Sequence, residues 1–163
     1  MELTIRLAHP ADHGAIRAVL TAAFGGPVEA NLVECLRADR DAAIELVAEA
    51  DGRVIGHILF SPIEAPFRAL ALAPLAVMPD RQRQGVGAAL IASGHDRARR
   101  EGWEAIFVLG DPAYYTRFGY SLEEATRFAS PYSGPYFMAL PLAPLPDAGG
   151  DLRYARAFSA AEE

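Results

Sequence analysis

The chain has 163 residues, 52% hydrophobic and 22% charged, with a formal net charge of −6; this fits one domain over 1–163 and excludes an extended disordered polypeptide. The acidic balance excludes general nucleic-acid binding, which needs a cationic face against phosphates, and favours cationic substrates. Cys35, the sole cysteine, excludes an intrachain disulfide framework or a thiolate metal cluster and fits a reducing cytoplasm.

Met1–Arg6 carries no basic region ahead of an apolar core, and Leu3, Ile5 and Leu7 alternate with Thr4 and Arg6, the period of a half-buried strand. Asp12 is placed to cap a helix through Phe24, with Ile16, Val19, Leu20 and Ala23 at helical spacing. Gly25-Gly26-Pro27 ends that helix, and Pro27 fits the first turn of a second one whose Val28, Leu32, Cys35 and Leu36 share a face. Ile44–Ala50, the turn pair Asp51-Gly52 and Val54–Ile63 read as a hairpin. Phe67–Met78 is the next extended segment, and Pro74 inside it requires a bulge or an edge.

The following helix puts Gly87, Leu90, Ile91, Gly94 and Ala98 on one stripe, a face of small residues suited to close packing on a sheet. Gly102 terminates it, and Trp103–Leu109 returns as a strand ending at Gly110-Asp111-Pro112. A short helix over Ala113–Phe118 precedes an extended piece opening at Gly119-Tyr120. Prolines punctuate the remainder, leaving strands at Tyr136–Leu140 and Leu152–Phe158, and Glu162 and Glu163 are expected to fray. No apolar stretch approaches the ~18 residues of a membrane span, so the expectation is a soluble, cytoplasmic protein without membrane association.

Between the apolar segment and its helix lies Gln82-Arg83-Gln84-Gly85-Val86-Gly87. N–H groups in the first turn of a helix lack intrahelical partners, and glycines there admit an anion closely, so this is a phosphate cradle. A dinucleotide fingerprint fails at its third glycine, which is Leu90, and in its setting, since hairpin strands precede the turn in place of alternating β and α. A P-loop fails because no Gly-Lys-Ser/Thr follows.

The Gln/Arg-x-x-Gly-x-Gly/Ala turn resembles the acetyl-CoA-binding motif of the GCN5-related N-acetyltransferase (GNAT) family. Ala113-Tyr114-Tyr115-Thr116-Arg117-Phe118-Gly119-Tyr120 resembles the family's second signature, an aromatic-Tyr-x-x-x-Gly-aromatic segment. Gly56-His57-Ile58-Leu59-Phe60-Ser61-Pro62, Pro74-Leu75-Ala76-Val77 and Leu109-Gly110-Asp111-Pro112 add a resemblance to the YhbS-like predicted acetyltransferases, which covers nearly the whole chain. The resemblance implies an α/β (α+β) fold with a mostly antiparallel, splayed central sheet flanked by helices. It implies acetyl-CoA as cosubstrate and no metal. The diphosphate would lie on Gln82, Arg83, Gln84, Gly85, Val86, Gly87 and Ala88, and the pantetheine arm along Leu75, Ala76 and Val77.

By the same resemblance Tyr115 matches the tyrosine that reaches the coenzyme sulfur, with Tyr114 and Phe118 as packing residues and a backbone N–H near Val77 as the carbonyl donor. A phenol beside the sulfur suits the chemistry, because the tetrahedral intermediate expels a thiolate that a nearby O–H stabilises. An ammonium acceptor must first lose a proton, and Glu64 at the end of its strand is the carboxylate chosen as base, ahead of His57 and Asp111. His9, His13, His57 and His95 form no metal-ligand pair on one element. The expected activity is acetyl transfer to a primary amine of a small molecule or peptide by direct attack in a ternary complex, the protein being a monomer or homodimer. The alternative is a non-catalytic acyl-CoA sensor.

Overall fold

The computed structural model describes residues 2–161, Ala161 by its backbone only; Glu162 and Glu163, where fraying is expected, lie outside them. β1 (Thr4–Leu7) leads through a 3-10 turn into α1 (His13–Phe24), which Gly25 ends in left-handed conformation, and α2 (Val28–Ala38) follows. Asp12 does not cap α1 with its side chain. Its carboxylate is taken by the Arg6 guanidinium at 2.8 and 3.0 Å and by the His9 N–H at 2.8 Å.

β2 (Ile44–Ala50) and β3 (Arg53–Ile63) form the expected hairpin. Asp51 and Gly52 take φ of 55° and 73°, and that left-handed pair gives the turn a twist matching the strands. β4 (Ala69–Val77) pairs antiparallel with β3, and α3 (Val86–Arg100) then crosses to β5 (Ala105–Leu109), which lies parallel to β4. α4 (Pro112–Tyr115) and α5 (Leu122–Ala125) are single helical turns. β6 (Phe128–Ala129), β7 (Phe137–Pro141) and β8 (Gly150–Asp151) follow, and α6 (Arg156–Ala161) is the last element.

The main sheet runs β1-β2-β3-β4-β5-β7, antiparallel except at β4-β5, while β6 and β8 pair separately. Strand alternation sorts the side chains into two layers. One carries Val47, Leu59, Ala71, Phe107 and Phe137 against α1, α2 and α6; the other carries Leu46, Ile58, Phe60, Leu70 and Ile106 against α3.

The feature that positions the site is a fork between β4 and β5. Their ladder spans only Ala69–Ala71 and Ala105–Phe107. On the other side of β4 the register passes from Ile58↔Leu75 to Phe60↔Leu72, so β4 carries one extra residue around Ala73-Pro74. Pro74 thus sits in a bulge, where a missing N–H costs no ladder bond.

β7 meets the strand expected over Tyr136–Leu140 to within one residue at each end, but the rest of the C-terminal third departs from expectation. Gly119-Tyr120 opens no strand: Ser121 makes one bridge to Ala139 and then caps α5, its Oγ accepting from the Glu124 N–H at 3.1 Å. Leu152–Phe158 is likewise not a strand. Arg153 bridges to Glu64, and the chain then turns into α6, which buries Ala157 and Phe158 beside α2.

Candidate active site

Beyond the fork the edge of β4 that faces β5 has no ladder partner among the described residues. The Met78 N–H donates to Ile55 O at 2.8 Å, on the β3 side. Because successive N–H groups point to opposite sides of a strand, the Val77 N–H is directed into the fork. The wall therefore offers backbone polarity rather than reactive side chains.

A 3-10 turn over Pro79–Arg81 carries the chain from β4 to the cradle. Arg83 and Gly85 take φ of 64° and 85°, and left-handed residues interleaved with ordinary ones gather successive N–H groups into an anion-binding concavity. At Gly85 the demand is conformational, since a Cβ there would meet nothing within 4 Å. At Gly87 it is steric, since a Cβ would stand 2.7 Å from the Tyr114 hydroxyl. Gln82 Nε2 donates to Val77 O at 3.1 Å and Gln84 Nε2 to Asp80 O at 3.3 Å, so both amides brace the turn. The N–H groups at the start of α3 remain for a ligand, aided by the helix dipole.

These pieces enclose a groove of about 590 Å³. Leu75, Val77, Gln82, Arg83, Gly85, Val86, Gly87 and Ala88 all line it, together with Arg81, Tyr114 and Arg117. Ala76 presents its side chain to the opposite layer, against α1 and α2. Three arginines and no carboxylate line the groove of a chain whose net charge is −6.

Tyr115 stands one layer behind Tyr114. Its ring meets Tyr114 edge-on at 5.0 Å and Tyr120 at 5.8 Å, and it lies so close to Gly110 that a Cβ there would be 2.6 Å from Tyr115 Cε2. Burial, with Tyr114 beside it, pushes its phenol up to about 12, and burial raises Tyr114 also. Both hydroxyls therefore keep their protons at neutral pH.

Tyr114, expected to be packing, is a wall of the groove. Arg117 and Arg81 were not among the expected site residues. The signal for Arg117 was its spacing: three residues after Tyr114 on a helical turn, it lays its guanidinium 4.9 Å from that ring. For Arg81, which reaches Asp51 at 3.2 Å, no comparable sequence signal exists.

Glu64 is not brought to the groove. It lies at the closed end of the β3–β4 hairpin, 76% exposed, 3.9 Å from Arg153 in a separate hollow. Asp111 caps α4, its Oδ1 accepting from the Ala113 N–H at 3.0 Å. His57 is wholly buried in the α1/α2 layer with Nε2 2.8 Å from Glu45 Oε2. No cluster of three metal-ligating side chains occurs among the described residues.

The sequence pattern of the Acetyltransferase (GNAT) family matches residues 14–120. The chain is 38% identical over 141 residues to YjhQ of Escherichia coli K12, an uncharacterized N-acetyltransferase, covering 82% of this chain and 76% of that protein. The crystal structure of the GNAT family N-acetyltransferase YhbS from Escherichia coli in complex with CoA superposes with a TM-score of 0.91 at 34% identity, over 98% of this chain and 93% of that one. A GNAT family acetyltransferase from Brucella melitensis, in complex with acetyl-CoA, gives a TM-score of 0.83 at 36% identity, over 96% and 98% of the two chains.

Proposed function

The chain belongs to the GNAT family of N-acetyltransferases, and from that premise we propose that its groove binds acetyl-CoA and that it acetylates a primary amine of a small molecule or peptide. The observation that carries this reading is the junction of the opened β4 edge with the cradle at the start of α3. A diphosphate fits the N–H groups of Gly85–Ala88, and the amides of a pantetheine arm fit the unpaired edge along Leu75–Val77. The bound relatives from Escherichia coli and Brucella melitensis support the same ligand.

Transfer proceeds by direct attack. The ammonium acceptor first loses a proton to solvent, and the neutral amine adds to the thioester carbonyl to form the C–N bond, the carbonyl π pair moving onto oxygen. The Val77 N–H donates to the oxygen as negative charge builds there. The C–S bond then breaks with its electron pair going to sulfur, the second proton of the nitrogen passes to that sulfur through solvent, and coenzyme A leaves as its thiol. Tyr115 is assigned to the leaving sulfur on its match to the family's tyrosine; its ring packs behind Tyr114 and outside the groove lining, so its hydroxyl must reach the sulfur past Tyr114. A thiol ordinarily ionises near ~8.5, whereas this phenol is held at about 12, so the O–H stabilises developing thiolate mainly as a hydrogen-bond donor.

Thiol release from acetyl-CoA across a panel of small amines and peptide N-termini, beside calorimetric binding of acetyl-CoA, tests the proposal. Binding with amine-dependent release is expected. Binding without release for any amine would leave an acyl-CoA sensor, and no binding would overturn the coenzyme assignment.

A further inference from the structure

Coenzyme A carries two separated anionic groups, a diphosphate and a 3′-phosphate on the ribose, and the cradle supplies donors for one. Of the three groove arginines, Arg83 belongs to the cradle turn itself and Arg81 is tied to Asp51 at 3.2 Å. Arg117 lies on the other wall, which follows α4. Its Nε donates to Tyr114 O at 3.3 Å, and its guanidinium carbon stands 4.9 Å from the Tyr114 ring and 5.2 Å from the Phe118 ring. Among the described residues no carboxylate pairs with it.

A guanidinium fixed by its Nε and by two ring faces loses little freedom on binding, and its two terminal amino groups match the oxygens of a phosphate. We propose that Arg117 is a specificity-determining residue that reads the 3′-phosphate and so separates coenzyme A from its 3′-dephospho form. The inference rests on the reading that the groove holds acetyl-CoA.

Calorimetric titration of CoA and of 3′-dephospho-CoA into the wild type, Arg117→Gln, Arg117→Met and Arg83→Gln tests it. The wild type should prefer CoA by about 10- to 100-fold, the range of a charge-assisted phosphate contact. Arg117→Gln should weaken CoA by that same factor and leave 3′-dephospho-CoA unchanged within about 2-fold, and Arg117→Met, which keeps the stem against both rings, should repeat the result. Arg83→Gln should weaken both ligands alike.

Absence of preference in the wild type overturns the assignment, as does equal weakening of both ligands in a folded Arg117 variant. Collapse of the preference in Arg83→Gln moves the role to Arg83. A wild type that binds neither ligand counts against the coenzyme reading and is thereby distinguished from a failure of Arg117 alone.

Discussion

Glu45 joins three elements: it accepts from Arg37 of α2 at 2.6 Å and from His57 of β3 at 2.8 Å while sitting on β2. The bonds from His57 and Arg37 outweigh its burial and hold its carboxyl down to about 2, so it is ionised and the His57 Nε2 carries the proton. His57 is itself lowered by burial, and burial with Arg99 nearby brings His95 down to about 4. Both imidazoles are thus neutral in the fold, and the unfolded chain takes up their protons first. Their contribution to stability is full above the ordinary value of 6.5 and, for His95, declines down to about 4. Glu45 adds a lower window, full above 4.5 and lost as pH falls through about 2. Melting temperature should therefore fall between pH 7 and pH 4, and His95→Gln, which keeps a partner for the Tyr120 hydroxyl, should flatten that fall; an unchanged slope would remove His95 as its source. The two adjacent phenols separate by kinetics. Tyr115→Phe should lower kcat about 10²-fold with little change in KM for acetyl-CoA, whereas Tyr114→Phe should act mainly on KM, because Tyr114 lines the groove. Equal kcat for wild type and Tyr115→Phe would exclude the phenol from the step. The resemblance to the family's second signature selected Tyr115, but which ring faces the groove depends on how α4 is rotated, and that depends on Gly110 admitting Tyr115 behind the wall. The distance of Glu64 from the groove depends on β3–β4 register, which no local pattern encodes.

At the scale of elements, α3 links the core to the cradle. Gly94 faces Phe60 of β3 so closely that a Cβ would stand 2.4 Å from Cε2 and 2.5 Å from Cζ, and Phe60 is fully buried. Gly94→Ala must displace that ring or lift the helix, at a cost of about 1–3 kcal/mol. Because the cradle opens the same helix, the substitution should lower the melting temperature and raise KM for acetyl-CoA together. A lower melting temperature with unchanged KM would mean that Phe60 alone absorbs the strain. The small-residue stripe that includes Gly94 was readable from periodicity, as were the β2–β3 hairpin from Asp51-Gly52 and the bulge from Pro74. Each is a local pattern with a single steric solution. Of residues 119–161 only the strand expected over Tyr136–Leu140, which is β7, was readable in this way. There the pieces are two to six residues long, and Ser121 and Arg153 are placed by single bridges to Ala139 and Glu64. Ala157 and Phe158 are placed by burial beside α2 rather than by strand alternation.

For the molecule as a whole, the acidic excess and the cationic groove have separate consequences. A net charge of −6 repels an anionic cosubstrate at long range, while Arg81, Arg83 and Arg117 attract it near the groove mouth. Ionic screening acts over about 10 Å at 0.1 M salt and about 3 Å at 1 M. The near attraction comes mainly from the exposed Arg83 and Arg117, since Arg81 is paired with Asp51, and is itself screened at high salt, whereas the long-range repulsion is already weak at moderate salt. Raising NaCl from about 0.1 M to about 0.5 M should therefore increase KM for acetyl-CoA several-fold while leaving kcat nearly constant, since the groups proposed for the chemical step, the Val77 N–H and the Tyr115 hydroxyl, are uncharged and salt screens them little. Steady-state kinetics at saturating amine across that range provide the measurement. A KM that stays flat would mean that backbone N–H groups alone hold the phosphates, and a kcat that falls with KM unchanged would place the salt-sensitive charges at the reacting centre instead of at the cradle.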